Sequence, residues 1–320
     1  MGLMRSARFH TGIALAVFLP IAALVGSIAL ANGYSSPGPT APPPKSTLAS
    51  RPESYLGVFE KGVPGSYLGV DKFTAATGRH PNIVLYFSGW FQPFATEFAT
   101  TALAHHAVTL VQMDPFNVRL SKIAAGAQDG YLRSYADQVR DFRFPVIISF
   151  AHEMNGSWYP WGPGHAKPKD FVRAWQHVVK VFRQQGARNV TWLWGLHSIG
   201  TTISTMRSYW PGKRYVTWVG LDGYFALPTD NFRYVFGTTL RVVRRITRKP
   251  VLISETAVGK QTRRQPARIA SLFAGIRRRH LLGMVWFDRF QHQDIHHQNW
   301  RLEGNPAATR AFIKATRGYP

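Results

Sequence analysis

The chain contains no cysteine, and it has only 16 acidic residues against 39 lysines and arginines. Without cysteine there is no disulfide framework and no thiolate metal site, so the fold rests on its apolar core. At 320 residues the chain is long enough for one barrel of about 250 residues plus an appendage. A phosphate cradle is missing too. Gly62-Val63-Pro64-Gly65 is followed by no Lys-Ser/Thr pair opening a helix, and it reads as a turn. His292, Asp294, His296 and His297 gather near the C-terminus at a spacing that matches no strong ligand signature, so they read as a polar loop with no metal. No nucleic-acid-binding motif accompanies the positive charge.

What the sequence does contain is a repeated grammar. Pro145 opens Val146-Ile147-Ile148-Ser149-Phe150, a β-branched run of the kind a strand covered on both faces requires, and Ala151-His152-Glu153 follows. Pro250 opens Val251-Leu252-Ile253-Ser254, and Glu255 follows. The two glutamates are 102 residues apart, the room taken by three βα units of about 30 residues each, as between the fourth and seventh strands of a barrel. Both then face one mouth. A carboxylate at a strand exit beside Trp158-Tyr159-Pro160-Trp161 suits sugar chemistry, in which an acid protonates a glycosidic oxygen and aromatic faces stack on pyranose rings.

Apolar runs alternate with helical stretches from residue 55 onward, the pattern of a parallel sheet or barrel. Strands are expected at 55–59, 83–87, 108–113, 146–150, 190–194, 217–221, 251–254 and 282–287, giving a (β/α)8 TIM barrel as the single catalytic domain. Helices are expected at 95–106, 130–142, 169–185, 232–246, 266–280 and 306–316. The segment after the first strand is too short for a full helix and is expected to be irregular.

Three segments, His152-Glu153-Met154-Asn155-Gly156-Ser157-Trp158, Tyr215 to Tyr224, and Ile253-Ser254-Glu255, resemble glycoside hydrolase family 26, which includes the β-mannanases. The resemblance spans roughly residue 55 to the C-terminus. It implies retention, with Glu153 as general acid then base, Glu255 as nucleophile, and Tyr224 orienting that nucleophile. It also implies that His152 contacts substrate or orients the acid, that Trp286 floors the subsite where the bond is cut, and that Trp158 and Trp161 line neighbouring subsites. Asn155, Trp194 and Asp222, at or beside strand exits, complete the expected binding set; Trp192 is expected in the core. For the roles to work, Glu153 needs a raised pKa, which its aromatic neighbours are expected to supply by desolvation, and Glu255 must stay ionised.

Two places depart from the family pattern. Met113-Asp114-Pro115 stands where mannanases carry Trp-His and is closer to glucan-cleaving members. Gly195-Leu196-His197-Ser198 replaces the commoner Ser-Pro-Asn. The resemblance therefore implies an endo-acting retaining hydrolase of β-1,4-mannan or mixed-linkage β-glucan, without a cofactor.

At the N-terminus, Arg5 and Arg8 precede an uncharged run over 11–31 ending Ala29-Leu30-Ala31, expected to be a signal peptide or signal-anchor over 1–31. A Pro/Ser/Gly-rich linker follows over 32–51, then the barrel over 52–320. Removing the first fifty residues still leaves 36 basic against 16 acidic residues, so the charge belongs to the folded domain. Arg244-Arg245, Arg263-Arg264 and Arg277-Arg278-Arg279 suggest a solvated cationic flank. Its expected partners are an anionic envelope or exopolysaccharide surface and no nucleic acid, with membrane contact only through the N-terminal segment. The competing reading is a basic envelope-polysaccharide-binding protein on a barrel scaffold with little catalysis.

Overall fold

In a computed structural model the described residues are 48–198, 202–260, 264–291 and 298–320. The expected signal or anchor, most of the linker, Arg263 and the His292–His297 cluster lie outside them. Eight strands, β1 (Tyr55–Pro64), β2 (Ile83–Gly89), β3 (Val108–Asp114), β4 (Val146–Phe150), β5 (Val190–His197), β6 (Trp218–Asp222), β7 (Val251–Thr256) and β8 (Gly283–Asp288), pair in parallel in chain order. β1 also pairs with β8, so the barrel closes and the expected (β/α)8 fold is observed.

The strands form where β-branched and aromatic residues are covered on both faces; every residue of β4, β6, β7 and β8 is buried. Around them run α1 (Leu68–Thr77), α2 (Thr96–Ala104), α3 (Leu120–Ala124), α4 (Asp129–Phe142), α5 (Pro168–Gln184), α6 (Ile203–Ser208), α7 (Thr238–Ile246), α8 (Gln265–Arg278) and α9 (Pro306–Ala315). α5 shows why such helices dock. Pro168 occupies the first turn, where its missing N–H costs nothing, and Phe171, Ala174, Trp175, Val178 and Phe182 recur at three- and four-residue intervals as one buried stripe.

α1 corrects the expected irregular connection after β1. Its apolar signal is only Val70 and Phe73, and Thr77 completes the buried face one turn further on; Gly78 at φ +61° stops it. Arg244, Arg245, Arg277, Arg278 and Arg279, around the C-terminal ends of α7 and α8, are exposed, as a solvated cationic flank requires.

Alternation along each strand decides which side chains reach the mouth. On β5, Trp192 packs edge-on against Trp175 and Phe182 of α5, and Trp194 packs against Trp210, so this face looks away from the barrel axis. Gly195 and His197 take the other face.

Candidate active site

β4 ends at Phe150, and the chain then leaves the extended conformation. Ala151 and Glu153 adopt left-handed backbones at φ +49° and +48°. For residues with a Cβ this costs about 1–2 kcal/mol each and has to be held from outside. Ala151 N–H donates to Met113 O at 2.9 Å and Glu153 N–H to Gly195 O at 3.2 Å, tying the turn to β3 and β5.

The turn presents His152 to β3 and Glu153 to β5. His152 donates from Nδ1 to Asp114 Oδ1 at 2.7 Å, and its Nε2 lies 2.9 Å from the Tyr159 hydroxyl. Burial alone lowers the imidazole pKa, but the Asp114 carboxylate outweighs it and holds His152 up to about 10, while burial holds Asp114 above its own ordinary value, so the pair binds a proton between them. Both Glu153 oxygens are occupied: Oε1 accepts from His197 Nδ1 and Oε2 from Trp158 Nε1, each at 3.0 Å. Burial pushes Glu153 up. His197, His152 and the Trp158 N–H more than reverse it, and the carboxyl sits below its usual range. This corrects the expected raised pKa: the aromatic neighbours do bury Glu153, but one of them donates to it and a histidine from β5 pairs with it. His197 is held above its ordinary value, since the adjacent Glu153 overcomes the effect of its burial.

Glu255, still within β7, stands in different surroundings. Tyr224 O–H donates to Oε2 at 2.5 Å, while Oε1 is buried and makes no hydrogen bond, the Gln112 amide standing close without bonding it. Burial raises its pKa to about 7, with Glu153 adding to the shift and His152, the Tyr224 hydroxyl and the Gln112 amide opposing it. Tyr224 therefore bonds Glu255 as expected, yet without keeping it fully ionised. Tyr224 is braced by Phe287 and Trp300, at 5.6 and 5.0 Å between ring centroids.

Several residues expected to touch substrate are spent elsewhere. Asn155 clamps the backbone of His197 in both directions, Nδ2 to O at 2.8 Å and N to Oδ1 at 2.9 Å. Trp161 is buried, donates to His152 O at 2.7 Å and stacks on Tyr159. Asp222 has no exposed surface, accepts from Ser254 Oγ at 2.6 Å, and is raised well above its ordinary pKa by burial and by Glu255. Trp194 and Trp286 are corrections of direction: Trp194 is buried against Trp210, and Trp286 against Phe312 of α9 with its indole N–H on Trp300 O and Asp288. Each occupies the strand face turned to the helices. The ring beside Tyr224 is instead Trp300, which follows β8. Trp158 remains half-buried at the rim, on Glu153.

From the sequence, Asp114 and His197 stood out only as departures from a pattern and Tyr159 only as one aromatic of a cluster, while Trp300 was missed. Alternation past the paired tryptophans of β5 would have turned His197 inward.

Two carboxylates that feel each other's charge at the mouth of a parallel barrel define a class, the (β/α)8 proteins arranged for glycoside chemistry. The chain belongs to glycosyl hydrolase family 26, whose model matches residues 77–259. Endoglucanase H of Acetivibrio thermocellus is 25% identical over 285 residues, covering 81% of this chain and 31% of that protein. A β-1,3-xylanase of Vibrio sp. is 28% identical, covering 51% of this chain and 33% of its own length. A mannan endo-1,4-β-mannosidase of Bacillus subtilis is 32% identical, covering 34% and 29%. The chain thus spans about a third of the length of these curated relatives. Among solved structures, an endo-β-1,4-mannanase of Cellulomonas fimi superposes with TM-score 0.64 at 16% identity, covering 82% of this chain and 71% of the other. The catalytic domain of a Bacillus sp. JAMB-750 endo-β-1,4-mannanase gives 0.65 at 14%, covering 82% and 85%. At these identities the likeness is one of fold.

Proposed function

We propose that this protein is an endo-acting, retaining glycoside hydrolase of a β-linked polysaccharide, with Glu255 as nucleophile and Glu153 as acid/base. The observation that carries the reading is the contrast between two electrostatically coupled rim glutamates, one with both oxygens hydrogen-bonded and one with an oxygen that makes no hydrogen bond. A nucleophile needs a free lone pair on an oriented carboxylate, and Glu255 Oε1 has one while Tyr224 fixes Oε2.

In the first step Glu255 attacks the anomeric carbon, the glycosidic bond breaks, and Glu153 gives its proton to the departing oxygen. In the second, Glu153 takes a proton from water as that water attacks the glycosyl ester and frees Glu255. Glu153 therefore has to be protonated when substrate is bound. His197 supplies that proton: passing it from Nδ1 to Oε1 across 3.0 Å leaves a neutral imidazole and a carboxylic acid, a change favoured when bound sugar excludes water from the pair.

The substrate is β-1,4-mannan or a mixed-linkage β-glucan. The mannanase names among the relatives support the first. The endoglucanase that matches 81% of the chain, and Asp114 in place of a histidine, support the second. Asp114 reaches the reaction only through His152. The N-terminal segment is an export signal or anchor, and the exposed arginines of α7 and α8 hold the exported enzyme near anionic envelope polymers.

Reducing-end release from mannan, mixed-linkage glucan, β-1,3-xylan and an anionic exopolysaccharide, with Glu153→Ala alongside, tests the assignment. Release from one polymer that the variant loses is the expected result. Silence on all four, with salt-sensitive binding to the anionic polymer alone, overturns catalysis.

A further inference from the structure

We infer that Glu60, Asp288 and Glu303 form a binding site for one calcium-sized divalent cation at the exits of β1 and β8. Glu60 and Asp288 stand opposite each other in the register of the two strands, and Glu303 joins them from the segment before α9. One carboxylate oxygen from each lies within 4.8 Å of the others. Asp288 is fully buried and Glu60 is 7% exposed.

Each buried carboxylate has one oxygen in use. Glu60 Oε2 accepts from Lys61 N–H at 3.2 Å, and Asp288 Oδ1 accepts from Trp286 Nε1 at 3.1 Å and Leu302 N–H at 2.9 Å. Glu60 Oε1 and Asp288 Oδ2 are buried, no N–H or hydroxyl donates to either, and the two carboxyls reach only each other. Two buried carboxylates facing each other repel, so a proton or a cation has to stand between them, and the third carboxylate alongside adds to that need. The chain has 39 lysines and arginines, yet among the described residues none of the ion pairs involves Glu60, Asp288 or Glu303. A proton joins two oxygens; a hard cation joins all three.

The donors select the ion. Three carboxylates brought from separate segments form an irregular oxygen set, which suits the flexible coordination of Ca2+ better than the near-ideal octahedron that Mg2+ demands. α1 seals the outer side, since a Cβ at Gly69 would stand 2.9 Å from Glu60 Cβ and 3.2 Å from its Oε2. The cation would tie together β1, β8 and the segment ending at Glu303. That segment carries Trp300, which packs on Tyr224.

The test uses the full chain stripped with EDTA and dialysed. Tb3+ is titrated and read by luminescence sensitised through Trp286, then displaced with CaCl2. Thermal unfolding is followed in CaCl2, in MgCl2, and in NaCl of equal ionic strength. One Tb3+ per chain, displaced by Ca2+, and a Ca2+-specific rise in Tm of about 5–10 °C at one hundred times Kd are expected. Both should vanish in Asp288→Asn and in Glu303→Gln, the latter touching only a half-buried side chain. Absence of sensitised emission, with a Tm that CaCl2 moves no more than NaCl and that Glu60→Gln raises, would overturn the site in favour of a carboxyl pair sharing a proton. A full Ca2+ response in Glu303→Gln would remove the three-carboxylate geometry, and an equal response to MgCl2 would overturn the choice of Ca2+ over Mg2+. These are binding readouts, so they stand or fall independently of glycosidase turnover.

Discussion

The exits of β4 and β7 share a proline, an apolar run, a serine and a glutamate, which directly follows the serine on β7 and comes four residues after it past β4, and they place their glutamates in opposite surroundings. At the β4 exit the carboxylate meets donors from two other segments: His197 at the end of β5, clamped by Asn155, and Trp158 in the following loop. At the β7 exit it meets one hydrogen-bond donor, Tyr224, with the Gln112 amide nearby, and its other oxygen makes no hydrogen bond. Glu153 is consequently held below its usual pKa and Glu255 above. A strand's own residues decide where its carboxylate stands. The residues contributed by neighbouring strands decide what charge it carries.

The largest test of that contrast is Glu255→Gln. Loss of the nucleophile should lower turnover by more than about 10³-fold; near wild-type hydrolysis would remove the assignment. The same variant checks the charge. A carboxyl raised from 4.5 to about 7 binds more protons folded than unfolded across that interval, so wild-type stability falls as pH rises through it. Glu255→Gln should lose that slope, and Tm measured between pH 4.5 and 8 should decline less than in wild type.

Tyr224→Phe removes a charge-assisted hydrogen bond of about 1.5–3 kcal/mol, a loss of roughly 10- to 100-fold in kcat/KM. It should also move the acidic limb of the kcat/KM profile upward from about 7, since the hydroxyl opposes the raising of Glu255. An unmoved limb would mean that the limb belongs to another group. Asn155→Ala frees the His197 backbone from two hydrogen bonds of about 0.5–1.5 kcal/mol each. Its effect should be smaller, about threefold to 30-fold in kcat, with KM little changed if Asn155 positions His197 and does not bind sugar. A rise confined to KM would restore it as a substrate contact.

The smallest effect on catalysis belongs to Trp286→Phe. Buried against α9, it should lower stability by about 1–3 kcal/mol and leave kcat/KM within about threefold, whereas Trp300→Ala should reduce kcat/KM clearly. The reverse pattern would put Trp286 back under the sugar.

These contrasts also mark how far the sequence could be read. The eight strands were legible because their runs are β-branched and buried on both faces, and the two glutamates were legible because they follow those runs. α1 was not, since Leu68–Thr77 offers little apolar periodicity. Nor was the direction of Trp194 and Trp286, because both strand faces of a barrel are apolar and composition does not separate inward from outward. Alternation along β5 turns His197 inward but does not name its partner, since Glu153 lies 44 residues away and the pairing is a tertiary contact. The pKa directions failed for the same reason, since burial was visible in the aromatics around Glu153 but its charged partner was not.

Azide rescue of the two truncated glutamates, with the configuration of the glycosyl azide read by NMR on an activated aryl glycoside, separates their roles most directly. In Glu153→Ala the ester on Glu255 still forms on the α face, azide then attacks from the opposite side, and the β-azide is expected. In Glu255→Ala azide takes the nucleophile's own place and the α-azide is expected. Azides of the same configuration from both variants, or the two outcomes exchanged, would contradict the assignment of Glu255 as nucleophile and Glu153 as acid/base.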